Sequence, residues 1–462
     1  MKLLLVTTQE IFVYRKNRLN DRAAPTNDSA PFPTNSPDGC KSGDRQEHLA
    51  IRVRAAHVIG TCRHLYEGPS VRPICATCGG QITEADDSEE HIISAAIGGR
   101  RTVRGLLHQV CNNQAGQTWD AELERQLRPL ALHFGVQRQR GQTLRMAITT
   151  TAGEELLLGP KGQLTMVRPN ITRTPTPQGV NLQITAGSDA QAREVLEALK
   201  RKTPHIDVEG TLATAQVRRS YAQGAVQLQL GFGGELSGRS LVKSALALAH
   251  QAGIPVDRCG DALRYLREAD GTPCFGYYYV GDLISDRPAE KPLHCVAIEA
   301  NPETSLILGY VEYFGVHRAV VCLGRGYRGE AVKCIYAIDP RNGATFDLSV
   351  RLAFDEADIE AIYDYRMDDA SGRQEAFGQV FGPALHAQRE AERSRVFKEA
   401  LDYAWANCGA EQNEMLTTQN MATISELFAE RVMPWLQHVE GASAETARRQ
   451  AKAFADFILR TA

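Results

Sequence analysis

Two pairs of metal-binding side chains stand out: Cys75 and Cys78, two residues apart, and, after a gap of 29 residues, His108 and Cys111 with the same spacing. Zinc favours four tetrahedral sulfur or nitrogen donors, and a turn with two intervening residues presents both of its donors to one ion. One such pair among eleven cysteines would carry little weight. The second pair turns the reading to structural zinc. Cys62 and His64 lie just upstream as rival ligands, with a less regular spacing. Inside the gap, the acidic run EADDSE leads into Glu90-His91, and Asn112-Asn113 directly follow Cys111. An imidazole beside a carboxylate suits general-base chemistry, while a carboxylate and an amide oxygen suit a hard cation such as Mg²⁺ or Mn²⁺. Glu90, His91 and Asn112 are therefore candidates for such chemistry, because they stand between and directly after the two ligand pairs.

Positioning these side chains calls for a particular local fold. Ile92-Ile93, Gly98-Gly99, then Val103, Leu106 and Leu107 read as strand, glycine-containing turn and strand, followed by a helix from about Asn112 to Arg128. Zinc at both ends of this hairpin would pin it to the start of the helix, so that His91 and Asn112 converge. Asp120 lies two helical turns beyond Asn112 on roughly the same face, and with Asn113 it is a candidate helper.

The string CATC…EEHII…GG…HQVCNNQAG…WD resembles the HNH (ββα-metal) endonucleases, in particular the zinc-containing branch whose final histidine is replaced by asparagine. The resemblance spans roughly residues 72–130 and implies a metal-dependent enzyme that hydrolyses DNA phosphodiester bonds, nicking one strand per site. It also implies roles: Cys75, Cys78, His108 and Cys111 for structural zinc, His91 as the base that activates water, and Glu90 and Asn112 for catalytic Mg²⁺ or Mn²⁺. Two departures stand out. His108 takes a position usually held by cysteine, and the middle Asn of the family name has no counterpart in RTVRGLLHQVC, which leaves the group that orients His91 open. For bacterial proteins of this layout the resemblance further implies a role in defence against phage.

The rest of the chain bounds this reading. With 462 residues, 43% hydrophobic and 23% charged, it is an ordinary globular composition with room for several domains. The net charge of −3 gives no general attraction to nucleic acid. Locally, eight arginines against three acids lie between His91 and Arg145, and Arg100, Arg101 and Arg104 are the candidate DNA contacts. No apolar run is long enough to span a bilayer, and scattered cysteines without an export signal point to a cytoplasmic setting.

The expected organisation is α+β and multidomain. It comprises an N-terminal extension (1–70) with a flexible linker at 20–47, an HNH module (71–132), a mixed α/β domain (143–353) and a helical C-terminal region (354–462). Strands are expected at FGYYYV, HCVAIEA, SLILGYVEYFGV, AVVCLG, VKCIYAI and TFDLSVRL, and helices at Ser188 onward, SLVKSALALAHQAG, and Ser443 onward. The glycines of LGFGGELSGRS and CLGRGYRG read as turns, because neither supplies a complete phosphate-binding pattern. His250, His294 and His317, with the six cysteines from Cys259 to Cys408, read as packed core residues. Two rival functions stay open: a zinc-ribbon nucleic-acid-binding protein with an inactive nuclease remnant, and a nuclease silent until residues 143–350 bind a ligand or partner protein.

Overall fold

The structure, a computed structural model, describes residues 2–5, 10–15, 73–137, 145–177, 179–289, 291–411, 414–441 and 443–461. The expected linker at 20–47 and the rival ligands Cys62 and His64 lie outside the described residues.

The chain opens with β1 (Lys2–Leu5) and β2 (Glu10–Arg15). In the segment of paired ligands, β3 (Glu90–His91) pairs antiparallel with β4 (Thr102–Val103). A Cβ added at Gly99 would stand 1.6 Å from the Ile93 carbonyl oxygen, so only glycine lets the chain double back this tightly. Next, α1 (Gln109–Ala115) runs through a π-helical turn, Gly116–Asp120, into α2 (Ala121–Phe134).

A mixed region follows: β5 (Met146–Thr149), β6 (Glu155–Leu158), β7 (Leu164–Met166), and the hairpin β8 (Asn170–Thr176) and β9 (Gly179–Thr185). Then come α3 (Asp189–Lys200), α4 (Val208–Ala213), β10 (Gln216–Tyr221) and β11 (Val226–Gln229). The N-terminal strands are built in here: β2 joins a five-stranded sheet of order β10-β2-β7-β6-β5, and β1 pairs with β11. Ser188 caps α3 by accepting from the Gln191 amide at 3.2 Å.

The larger sheet, of order β12-β15-β14-β13-β16, is antiparallel throughout. It follows α5 (Glu235–Gln251) and α6 (Gly260–Arg267), and comprises β12 (Phe275–Tyr277), β13 (His294–Asn301), β14 (Leu306–Tyr313), β15 (His317–Arg325) and β16 (Val332–Ile338). Every residue of β14 is buried, as a strand covered on both faces requires. Alternate side chains divide between the faces: Val296 and Ile298 join the core under α5, while Cys295 and Ala297 join a second core with Ile284, Leu352 and Phe354. That second face is closed by α7 (Glu356–Tyr363). The helical end, α8 (Ala370–Ala406), α9 (Thr418–Glu440) and α10 (Ala444–Thr461), has its own core around Phe428 and Leu436. Two expectations are corrected. TFDLSVRL forms no strand and makes only single bridges through Thr345 and Val350. For α10 the sequence predicts one buried stripe of Ala447, Ala451, Phe454 and Ile458; the structure buries Ala447, Ala451 and Ala455, packs Ile458 against them and turns Phe454 44% outward.

One element organises the molecule. All residues of α5 from Ser237 to Ala249 are buried, because apart from Arg239 and Lys243 the helix is small or apolar around its circumference and is covered on all sides. One side lies on the larger sheet, where Gly309 permits the approach: a Cβ there would stand 2.9 Å from that of Ala245. Another side meets α2, the π-helical turn, β3 and β4. Ile92, Ile93, Leu107, Leu123 and Leu127 thus share a core with Leu241, Val242, Leu246 and Val311.

Polar ties reinforce this seam. Arg267 of α6 donates to the carbonyls of Cys75 (3.1 Å) and Ala76 (3.0 Å), and His250 Nε2 donates to that of Arg104 at 2.8 Å. Within the core, His294 Nε2 donates to the Ile97 carbonyl at 2.8 Å, while its Nδ1 accepts from the Phe314 amide at 3.0 Å. Burial lowers His294 to about 4, so it serves as a neutral packed histidine.

Candidate active site and metal cluster

The ligand atoms of Cys75, Cys78, His108 and Cys111 all lie within 4.8 Å of one another. His108 stands at the N-terminal cap of α1, with its Nδ1 3.2 Å from Cys78 Sγ. Its Nε2 donates to the Gln81 carbonyl at 3.0 Å, and in that tautomer the lone pair of Nδ1 faces the sulfurs, where it can ligate a metal. Burial pushes the Cys75 thiol up. The hydrogen bonds it receives from the Cys78 amide, the Thr77 hydroxyl and the His108 amide outweigh that and hold it at about 6, within reach of the thiolate a metal needs. Three sulfurs and one imidazole are the donor set of a structural zinc site.

Beside this cluster is a cavity of about 430 Å³, lined by Glu90, His91, Ser94, Asn112, Asn113 and Asp120 among others. The Asn112 amide nitrogen donates to Ser88 Oγ and to the Glu89 carbonyl, both at 3.2 Å, and so ties the first turn of α1 to the approach of β3. His91, half-buried, stands opposite Thr102 on β4. Glu90 is only 2% exposed.

The partner of Glu90 comes from outside this segment. Lys243 of α5 donates to Glu90 Oε1, and also to Asp120 Oδ2 at 2.7 Å. Ser240, one helical turn earlier, donates to the other Asp120 oxygen at 2.6 Å. Burial works against the charge of Lys243, but the two carboxylates outweigh it and hold the ammonium protonated, above the ordinary lysine range. Burial also pushes the Glu90 carboxyl up, against the pull of Lys243. Removing one partner of a buried pair of this kind costs about 3–5 kcal/mol, because a charge is left uncompensated.

Asp120 reaches this position through the π-helical turn. Eight residues of regular α-helix would carry it about 80° past Asn112. The wider turn, in which the Ala121 amide bonds the Gly116 carbonyl five residues back, rotates it toward the Asn112 face. Of the candidate helpers for His91, Asp120 bonds Lys243 and Ser240, and Asn113 accepts from Gln109 at 3.1 Å.

The arginine cluster is less positive than its count. Arg104 pairs with Glu89 at 2.7 Å, and Arg101 lies over the Tyr336 ring at 4.2 Å. Arg125 pairs with Glu122 at 2.6 Å and Arg128 with Glu124 at 2.7 Å. Arg100 is exposed, while Arg138 and Arg140 lie outside the described residues.

The donor chemistry also fits a hard divalent ion. Lys243 engages Glu90 through Oε1, and Asn112 uses its amide nitrogen on Ser88 and Glu89, so these bonds involve neither Oε2 of Glu90 nor the Asn112 amide oxygen, both of a kind that suits such an ion. Lys243 was not among the candidates read from the sequence. The signal was present, since it is the lone charge in the run SLVKSALALA, and a lysine is almost never fully buried unless paired.

Residues 75–128 match the family model of HNH endonucleases. That segment is an HNH endonuclease module with a Cys₃His metal cluster, set near the N-terminal end of a mixed α/β chain with a helical C-terminal region. No curated protein and no solved structure matches the chain. Among the described residues, no helix is long and apolar enough to cross a membrane.

Proposed function

We propose that the chain is a metal-dependent DNA endonuclease with His91 as general base and Glu90 and Asn112 as ligands of Mg²⁺ or Mn²⁺. The observation that carries this is the single cavity shared by Glu90, His91 and Asn112 beside the Cys₃His cluster. A bound divalent ion would neutralise charge on the scissile phosphate and the departing 3′ oxygen. His91 takes the proton from a water on the opposite side of the phosphorus, and that water attacks in line. The phosphorus–3′ oxygen bond breaks and the 3′ oxygen takes a proton from solvent, leaving a 3′-hydroxyl and a 5′-phosphate. Nicked plasmid should therefore be resealed by a DNA ligase with no prior end repair; ends carrying 3′-phosphate would contradict the assigned sides.

DNA attraction is assigned to Arg100 and Arg104, which are exposed, and to the half-buried Arg101. Replacing Arg100, Arg101 and Arg104 together is expected to weaken binding and make it less salt-dependent. The loss in log–log slope should be about 1–2, short of the full value of about 0.9 per phosphate contact, because Arg104 already answers Glu89 and Arg101 rests on Tyr336. Binding measured across a salt series gives the slope directly, and an unchanged slope would remove these residues from the interface.

A second reading, a nucleic-acid-binding protein with an inactive nuclease remnant, draws support from Lys243, which bonds the carboxylate a metal would use. Cleavage by the purified protein with Mg²⁺ or Mn²⁺ separates the two. A role as an anti-phage effector rests on the resemblance alone, a cytoplasmic setting rests on the cysteine usage, and control by a ligand or partner acting through residues 143–350 is a separate third reading.

A further inference from the structure

We propose that Lys243 is a positioning residue of the nuclease site, lent by α5 from well beyond the segment that matches the family. The inference rests on the nuclease reading above and deepens it. Lys243 is 2% exposed, and both carboxylates it bonds line the cavity. Ser240 ties the second oxygen of Asp120, so α5 fixes that side chain completely. Apolar side chains in place of the whole Lys243, Glu90 and Asp120 cluster would pack the same seam without the desolvation cost of burying charge, so stability alone does not account for the cluster.

Two consequences follow for the site. With Oε1 of Glu90 held, a single oxygen, Oε2, is left to meet a metal, and the carboxylate cannot swing into a chelating pose. The ammonium also sets the local charge: two carboxylates and one lysine sum to −1. A divalent ion brings the cluster to +1, which matches one phosphodiester. Without the lysine the same ion would be held more tightly and fully neutralised, with less charge left over for the phosphate. Lys243 thus trades metal affinity for catalytic charge, and it links the geometry of Glu90 to the seating of α5 on the larger sheet.

The test compares Lys243→Gln and Lys243→Arg with wild type, after zinc content and circular dichroism show that each is folded. Plasmid cleavage is followed against Mn²⁺ concentration, and Mn²⁺ binding is measured separately by calorimetry. Lys243→Gln should bind Mn²⁺ several-fold more tightly while kcat falls on the order of 100-fold, the scale of a misplaced catalytic group; KM for DNA should be unchanged. Lys243→Arg keeps the charge, so its Mn²⁺ affinity should stay near wild type and its kcat should lie between the two. General damage would weaken metal binding and rate together. That result, or wild-type values for both in Lys243→Gln, overturns the proposal. Should Lys243→Gln not fold, Lys243→Arg decides, and an unaltered kcat there overturns it. A wild-type protein that does not cut defeats the nuclease reading instead, while calorimetry still reports on Lys243.

Discussion

Serine in place of Cys111 is expected to strip the zinc from the purified protein and unfold the segment around it. The elements here cannot hold themselves: β3 and β4 have two residues each. Their backbone pairing is too short to offset the entropy of ordering the loops between Cys75 and His108. The cluster joins the turn at Cys75 and Cys78 to the start of α1, and in small zinc sites binding and folding are one free energy, about 10–16 kcal/mol. The effect should spread. Ile92, Ile93, Leu106 and Leu107 are fully buried in a core that includes Leu241 and Leu246 of α5, so the melting temperature of the whole chain should fall. Metal analysis should find one zinc per wild-type chain and none in Cys111→Ser or Cys78→Ser. Hydrogen exchange should show residues 73–137 losing protection in both. A folded, active protein free of zinc would overturn this assignment.

Alanine at His91 is expected to abolish cleavage and leave DNA binding intact. A positioned general base contributes about 10²–10⁴-fold to rate, and among the described residues no second histidine lines the cavity to replace it. Binding draws on other groups, chiefly phosphate contacts by arginine, so the dissociation constant at fixed salt should match wild type. Alanine also leaves the Cys₃His cluster and the Lys243 bonds to Glu90 and Asp120 untouched, and zinc content should not change. Cleavage assays run beside a binding isotherm check both halves. A variant that cuts at near the wild-type rate would show that another group takes the proton.

What the sequence discloses here depends on distance along the chain. The Cys-x2-Cys and His-x2-Cys pairs are legible because two turns of that spacing together supply the four donors of one zinc ion. Asn112, directly after Cys111, inherits its position from them. Arg125 with Glu122 and Arg128 with Glu124 stand at helical spacing, so their neutralisation was open to prediction. By contrast, Arg104 meets Glu89 only once the hairpin closes. Asp120 was placed on the Asn112 face, but the π-helical turn that brings it there leaves no spacing rule to read. Lys243 depends on α5 packing between the larger sheet and the module, a contact across 153 positions. No local pattern encodes such a partner, although a single lysine in an apolar helix announces that one exists.

The central claim is that the chain cuts DNA with a divalent ion, one strand at a time. One Glu90-His91-Asn112 set lines one cavity, and the two scissile phosphates of a duplex are separate and antiparallel. The most direct test is a time course on supercoiled plasmid with zinc-loaded wild-type protein and Mg²⁺ or Mn²⁺, alone and with extract of phage-infected cells. Open-circular DNA should appear first and linear DNA later, with EDTA stopping both. Plasmid left intact with either ion, with and without the extract, would contradict the claim.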